Sequence, residues 1–520
     1  MRGTWALLRL LLRRDRLLMP LWIAGLALAP VGYLSSIKAA YPDAVARQHF
    51  YDLNASSATF VVRNGPLYGS SPGNLLAWQC GFVPVVVGLI AVLTVVRHTR
   101  TEEEAGRREL TGATVVGRHA GLAAAVLAAC GACLVFGLLT AFGVAAQGVP
   151  FAGALALGLG FSLAGWVFAG VGAVAAQLTW GASEARGIGI GALVLAFLLR
   201  AAGDSSGSAG WLAWLSPIGW AHRLRPFAGE QWWVLALGIA ATALFVVAAV
   251  ALSARRDLGA ALLPARLGRS EATASLRSPL ALAWRLQRGS LLVWTVCLGL
   301  VGLLMGGVAQ NVADLMRDNR AVADVFSRMG GGGAVMDAYL AGTMTLFGLA
   351  AAGHAVQATL KLRAEEAAGR AEPILATAVG RVGWALAHLA FAFFGPAFVL
   401  VVTGWTTGLA YGSGFGLVPA ALAQLPAVWV LTGLAALLIG FLPRFAAAAW
   451  GLLAAFLLLS LVGTALQWSS LVLGISPFQH LARLPGGAFS LAPALWLAAI
   501  AAVAGAAGLF ALRRRDMPVG

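Results

Sequence analysis

The sequence predicts an all-α polytopic membrane protein of about twelve transmembrane helices, built as two parallel six-helix repeats. Three observations carry this. First, 60% of the 520 residues are hydrophobic and only 11% charged, with a mean hydropathy of +0.84. A soluble fold of this length needs far more polar surface. Second, the apolar residues form repeated runs of roughly 20, the length at which a helix rising 1.5 Å per residue crosses a hydrocarbon core about 30 Å thick. Third, one polar loop occurs twice, which is the mark of an internal repeat.

Along the chain, residues 1–16 carry Arg2, Arg9, Arg13, Arg14 and Arg16 among leucines. They read either as an amphipathic helix lying on the membrane surface or as a positive flank that only sets orientation. A first repeat, residues 17–254, has spans near Leu17–Ile37, Leu75–Val96, Ala120–Ala146, Phe151–Leu178, Gly187–Leu199 and Trp232–Leu252. The fifth is short enough to be kinked or re-entrant. A cytoplasmic linker, residues 255–289, leads to a second repeat, residues 290–520. Its spans lie near Leu291–Ala309, Ala338–Leu360, Val382–Ala410, Phe415–Leu442, Phe445–Leu466 and Leu491–Leu512.

The net charge of +16 would suit a nucleic-acid partner, but the only lysines are Lys38 and Lys361 and the arginines cluster between apolar runs, so no basic domain exists. The positive-inside rule accounts for the excess. With twelve spans and a cytoplasmic N-terminus, 26 of the 36 basic residues fall inside and 10 outside. Both termini are therefore expected in the cytoplasm, with the chain in a bacterial plasma membrane. Cys80, Cys130, Cys133 and Cys297 all sit in apolar runs, so no extracellular disulfide framework is indicated. The Cys130-x-x-Cys133 spacing reads as small packing residues on one helix face rather than a redox or metal site.

The repeated loop is Glu102–Arg118, EEEAGRRELTGATVVGR, and Glu365–Arg381, EEAAGRAEPILATAVGR, matching at eleven of seventeen positions at a constant offset of 263. Glu102, Glu103, Gly106, Arg107, Glu109, Thr114, Gly117 and Arg118 pair with Glu365, Glu366, Gly369, Arg370, Glu372, Thr377, Gly380 and Arg381. Ser216-Pro217 and Arg255-Arg256-Asp257 recur as Ser476-Pro477 and Arg514-Arg515-Asp516. Each repeat has an even number of spans, so both enter from the same side, and a path between the halves follows. An acidic start suits the positive end of a helix dipole, and Gly106 or Gly369 can break that helix before a second short segment. A plain solvated elbow held by its own surface ion pairs, each worth under about 1 kcal/mol, would account for the charge. It would not account for the same residue order in both halves, which reads instead as a surface offered to another protein.

Such a cytoplasmic loop between the second and third spans of a six-span unit resembles the coupling element of type-2 ABC exporter permeases. The full-length chain, two such units joined, resembles the actinobacterial polyketide antibiotic (tetronasin-type) exporter permeases; the start RLLLRRDRLLMPLWIAGL is a weaker match. The resemblance implies that two copies of a separate ABC ATP-binding subunit, carrying ATP and Mg, dock on the sixteen paired residues above. It also implies that the cargo is a small hydrophobic or amphiphilic molecule, antibiotic or drug-like, moved out of the cell, with membrane lipid as a further partner. Independently, a Walker A motif needs Gly-Lys-Ser/Thr. Lys38 follows Ile and Lys361 follows Leu, so no catalytic residue, cofactor or metal is expected in this chain.

The rival reading is a proton-coupled multidrug carrier, which would use ionisable groups within the membrane. Inside the expected spans there are no Asp or Glu, and only His354, His388, Gln177, Gln357 and Gln424 are notably polar. Both histidines read as hydrogen-bonded side chains near helix ends. A membrane anchor or lipid scramblase has no positive feature. The segments Trp211–Trp233 and Ile475–Ser490, rich in Pro, Trp and Gly, resemble the re-entrant elements that cap the path in this family, although an aromatic belt also explains the tryptophans. Gly330–Gly333 reads as a flexible break.

Overall fold

The computed structural model describes residues 3–55, 58–108, 116–205, 210–256, 271, 276–318, 332–460 and 469–516. Every regular element among these is helical, and eleven helices are long and apolar enough to cross a membrane. The protein is thus an all-α polytopic membrane protein. It divides into two compact units, Met1–Gly268 and Arg269–Gly520.

In the first unit the helix Phe151–Leu178 is central, with most of its residues buried. It packs against Ala120–Ala145, Val83–His98, Ala182–Ser205 and Trp233–Ala254. Lipid offers no hydrophobic drive between helices, so small residues that let backbones approach decide where spans meet. A Cβ added at Gly158 would lie 2.0 Å from the Gly137 carbonyl oxygen, so these two helices touch backbone to backbone. Beside that contact, the Ser162 hydroxyl donates to the Cys133 carbonyl (2.9 Å) and the Trp166 indole to the Cys130 carbonyl (3.0 Å). The two cysteines thus sit in a packing interface.

In the second unit Arg381–Tyr411 packs along Pro279–Asp318, Leu425–Phe441 along Leu491–Arg514, and Gly332–Ala367 against both Arg381–Tyr411 and Leu425–Phe441. Trp429 donates to the Phe393 carbonyl at 3.0 Å. This bond lies at the same offset, 263, from the Trp166 bond as separates the two polar loops.

Several boundaries differ from the sequence expectation. The second span does not begin at Leu75: the helix Pro72–Gln79, capped by the Ser71 hydroxyl, ends, and Val83–His98 starts afresh. Between them Gly81 presses so closely on Asn64 that a Cβ would lie 2.0 Å from its carbonyl oxygen, and periodicity carries no trace of such a contact. The fifth span is not short but runs Ala182–Ser205, long enough to cross the membrane. Arg200, expected in a loop, lies inside it, fully buried, donating to the Val61 (3.1 Å) and Val62 (2.7 Å) carbonyls. Pro279–Asp318 begins within the expected linker, because Arg285 and Arg288 fall on a helix that extends beyond the apolar run. Gly332 and Gly333 open the helix Gly332–Ala367 instead of breaking the chain; residues 330–331 lie outside the described residues. The tenth apolar run is cut into Gly414–Leu417, Val418–Leu422 and Leu425–Phe441. Of the eleventh, Ala448–Leu458 is a short helix, and residues 461–468 lie outside the described residues.

The end of the first unit opposite the duplicated loop is closed by the segment after Gly210. The Ser216 hydroxyl, fully buried, accepts from the Gly219 amide (3.3 Å) and caps the helix Pro217–Arg223. Phe227 follows at φ 63, a left-handed conformation uncommon for a residue with a side chain. Its ring lies where a Cβ on Gly73 would come within 2.5 Å and one on Gly153 within 2.2 Å. Phe227→Ala leaves the strained backbone in place and empties the space over both glycines. It should cost about 3 kcal/mol, read as a lower melting temperature of the purified protein; an unchanged melting curve would show that the ring fills nothing.

Candidate functional site

Each of the two polar loops is built by the end of one span, a glycine turn and a lead into the next. In the first unit Arg100–Glu104 forms a short helix, and Gly106 turns the chain at φ 67. In the second, the span itself runs to Ala367, Gly369 turns at φ 69, and Glu372–Leu375 forms one exposed turn with Pro373 near its start. Both glycines adopt a conformation that a Cβ disfavours.

The turn brings the first glutamate and the arginine together in the same way in both units. Arg107 Nε and Nη2 donate to the two Glu102 oxygens at 2.7 and 2.9 Å. Arg370 Nε and Nη2 donate to those of Glu365 at 2.8 and 3.0 Å. This bidentate pairing holds both guanidiniums above their ordinary pKa, the carboxylate hydrogen bond being the main cause. Glu102 is also held by Arg14 (2.6 Å) and Glu365 by Lys361 (3.3 Å).

The second glutamate points inward. Glu103, its side chain 3% exposed, accepts from Arg100 (2.6 Å), from Arg256 through both oxygens (2.9 and 3.0 Å), and from Arg108. Burial, with Arg256 and Arg100 close by, lowers the Arg108 pKa to about 10, and burial also lowers that of Arg256. Glu366, 2% exposed, pairs with Arg363 (3.2 Å) and Arg515 (2.7 Å). Arg256 and Arg515 each stand just past the last span of their unit, so both loops are tied to the end of the sixth helix. The closing arginines reinforce the tie. Arg118 donates to the Arg256 carbonyl, and Arg381 donates to the Arg515 carbonyl at 2.7 Å.

The first unit adds two further ties. Glu104 accepts from the Ala182 amide at 2.6 Å, fixing the turn between the fourth and fifth spans. Asp15, at the end of the helix Thr4–Arg14, is 3% exposed and pairs with His98 (2.6 Å) and Arg97 (3.0 Å). The N-terminal helix, the polar loop, the fourth-to-fifth turn and the segment after the sixth span therefore meet at one end of the unit.

The paired residues thus separate into two groups. Glu103, Glu365 and Glu366 are buried in ion pairs, and Glu102 is clasped from two sides. Gly117 precedes the helix Ala120–Ala145, and Gly380 is the N-cap of Arg381–Tyr411. Left exposed are Arg107 and Arg370 (side chains 50% and 58% exposed), Arg118, Glu372 and Thr377. Glu109 and Thr114 lie outside the described residues. The sequence pattern does not mark Arg14, Asp15, Arg97, His98, Arg100, Glu104, Arg108, Lys361 and Arg363 as members of the site. It shows Arg256 and Arg515 only as landmarks, although their recurrence one residue before an aspartate was the available signal.

His388 lies within hydrogen-bonding reach of Gln287 (3.4 Å), and its ring meets Trp384 edge-on; the His354 ring meets Trp294 edge-on and lies over Gly395. Among the described residues no cluster of His, Cys, Asp and Glu could hold a metal ion.

Residues 276–513 match the family model of the multidrug efflux system permease Rv1217c, C-terminal domain. Over 525 aligned positions the chain is 44% identical to the multidrug efflux system permease protein Rv1217c of Mycobacterium tuberculosis (strain ATCC 25618 / H37Rv), covering 99% of this chain and 95% of that protein. A match of that length takes in both charged loops and every candidate span, and the chain belongs to this family of multidrug efflux permeases.

Proposed function

We propose that the chain is the membrane-spanning subunit of an ATP-driven ABC exporter that moves hydrophobic or amphiphilic small molecules out of the cell. In this reading two copies of a separate ATP-binding subunit carry ATP and Mg and dock on the two loops, and both termini face the cytoplasm. The type-2 exporter character suggested by the loop sequence, the tetronasin-type resemblance and an internal duplication belong to the same proposal. The observation that carries it is the lattice joining each loop to the end of its sixth span through Glu103 and Arg256, and through Glu366 and Arg515. A loop that served only to close a turn needs no such tie. A loop that receives force from a moving partner does, because a push on it must displace the helices rather than bend the turn.

The docking side chains are those left exposed: Arg107, Arg118, Arg370, Glu372 and Thr377. Arg370→Glu puts two carboxylates where one ion pair stood and presents the opposite charge to the partner. Cells producing this variant with its ATPase should lose at least about tenfold of ATP-dependent dye efflux, since a mispaired charge at an interface costs a few kcal/mol, while the ATPase keeps its nucleotide affinity. Efflux at the unaltered rate would remove the second loop from the docking surface. A purified chain that exports dye on a pH gradient alone would replace the proposal with the carrier reading.

A further inference from the structure

The two units differ at the end opposite the charged loops. Their closing segments share Ser216-Pro217 and Ser476-Pro477, Arg223-Leu224 and Arg483-Leu484, then, with Arg225 as one extra residue in the first unit, Pro226 and Pro485. The next residue is Phe227 in the first and Gly486 in the second, and both have positive φ, 63 and 95. In the first unit the Phe227 ring lies over Gly73 and Gly153, and the cavity bordered by Asn74, Trp78, His222 and Pro226 has a volume of only about 30 Å³. In the second unit no ring stands at Gly486, and a cavity of about 750 Å³ opens between the start of the helix Gly332–Ala367 and the segment from Phe478 to Gly487. That is the size of a pocket for a drug-sized molecule.

The lining is chemically specific. Tyr339, Leu346, Leu349 and Phe478 supply apolar and aromatic wall, and Thr343 and Gln479 supply hydrogen-bonding groups. The charged lining residues are Asp337 and Arg483. Asp337 is half-buried, backed by Gly486, and forms no ion pair among the described residues; Arg483 is exposed, which puts it at the solvent-facing rim. A carboxylate in a partly dehydrated wall attracts an opposite charge more strongly than a solvated guanidinium at the rim does.

We propose that this cavity is the chamber in which the exported molecule rests before release, and that it takes amphiphiles with a flat apolar body and a cationic group facing Asp337. The cavity at this end of the first unit is only about 30 Å³, too small for such a molecule, so release runs through the second unit only. The assignment rests on the exporter reading for its role in transport, but binding to the isolated chain tests it separately.

The probes are rhodamine 6G, a lipophilic cation, and Nile red, a neutral dye, titrated into the full-length protein in nanodiscs and followed by fluorescence anisotropy. A Cβ on Gly342, which lines the cavity, meets nothing within 4 Å, so a side chain can start there, and Gly342→Trp is built to occupy the space. It should weaken both dyes at least tenfold at an unchanged melting temperature; if it lowers the yield of folded protein, Thr345→Phe fills the same cavity from the next turn. Asp337→Asn should weaken rhodamine 6G about tenfold and leave Nile red within twofold. Wild-type affinities in the filled variants, equal loss of both dyes in Asp337→Asn, or no binding of either dye to the wild type would each overturn the chamber. Dye binding that behaves as expected, in cells that show no ATP-dependent dye efflux, would instead overturn the exporter reading.

Discussion

Glu103→Gln is expected to be the most damaging conservative substitution in the first unit. Its carboxylate is the shared counter-charge of Arg100, Arg108 and Arg256, and the glutamate and two of those guanidiniums are almost fully buried. The amide keeps the shape and one acceptor but removes the negative charge, so three guanidiniums lose their shared counter-charge in a largely buried site. Removing one partner from a buried ion pair costs about 3–5 kcal/mol, much of it the penalty of the charge left behind. Arg108 already holds its proton less tightly than usual, at about 10, because of burial and its two arginine neighbours, and loss of Glu103 worsens that position. The expected readout is a fall of many degrees in the melting temperature of the detergent-solubilised protein. Glu366→Gln, which strands two guanidiniums, Arg363 and Arg515, should cost less. Equal and small shifts for both would mean that water reaches these glutamates and the lattice carries little energy.

The second large effect is expected at Gly440. A Cβ there would lie 2.3 Å from the Gly508 carbonyl oxygen, and one on Gly508 would lie 2.5 Å from that of Ala436, so Leu425–Phe441 and Leu491–Arg514 meet through bare backbone. Neither main chain can yield without unpacking its helix. Gly440→Val therefore forces the two spans apart, and overpacking together with the weakened van der Waals attraction along the interface should cost about 3 kcal/mol. It should appear as aggregation or loss of the monodisperse peak in size-exclusion chromatography. Gly451→Ala, where a Cβ meets nothing within 4 Å, is the matched control and should be silent. Tolerance of valine at Gly440 would show that the two helices are not held at backbone contact.

Most of the membrane architecture is legible in the sequence because a span needs only length and apolarity: the apolar run Phe151–Leu178 and the helix coincide to the residue. What escapes is set by contacts rather than pattern. The break at Cys80–Phe82 depends on Gly81 meeting Asn64. The fifth apolar run starts only at Gly187 because Glu184 and Arg186 look like loop residues, although both lie within the helix Ala182–Ser205. At the site, the order of Glu, Gly and Arg points to the loops, but not to which side chains remain free. The Glu102–Arg107 and Glu365–Arg370 clasps are local and follow from a turn at glycine. The partners of Glu103 and Glu366 beyond the sixth span are not local, and no window along the chain contains both ends of the tie.

That separation sets an order of events during biosynthesis. Arg256 follows Glu103 by 153 positions, and Arg515 follows Glu366 by 149. At a ribosomal speed of about 5–20 residues per second, each glutamate waits roughly 7–30 seconds for its distant arginine. Meanwhile its neighbour three residues upstream, Arg100 or Arg363, serves as a provisional counter-ion. Each half is therefore fastened only when its final helix has been threaded into the bilayer.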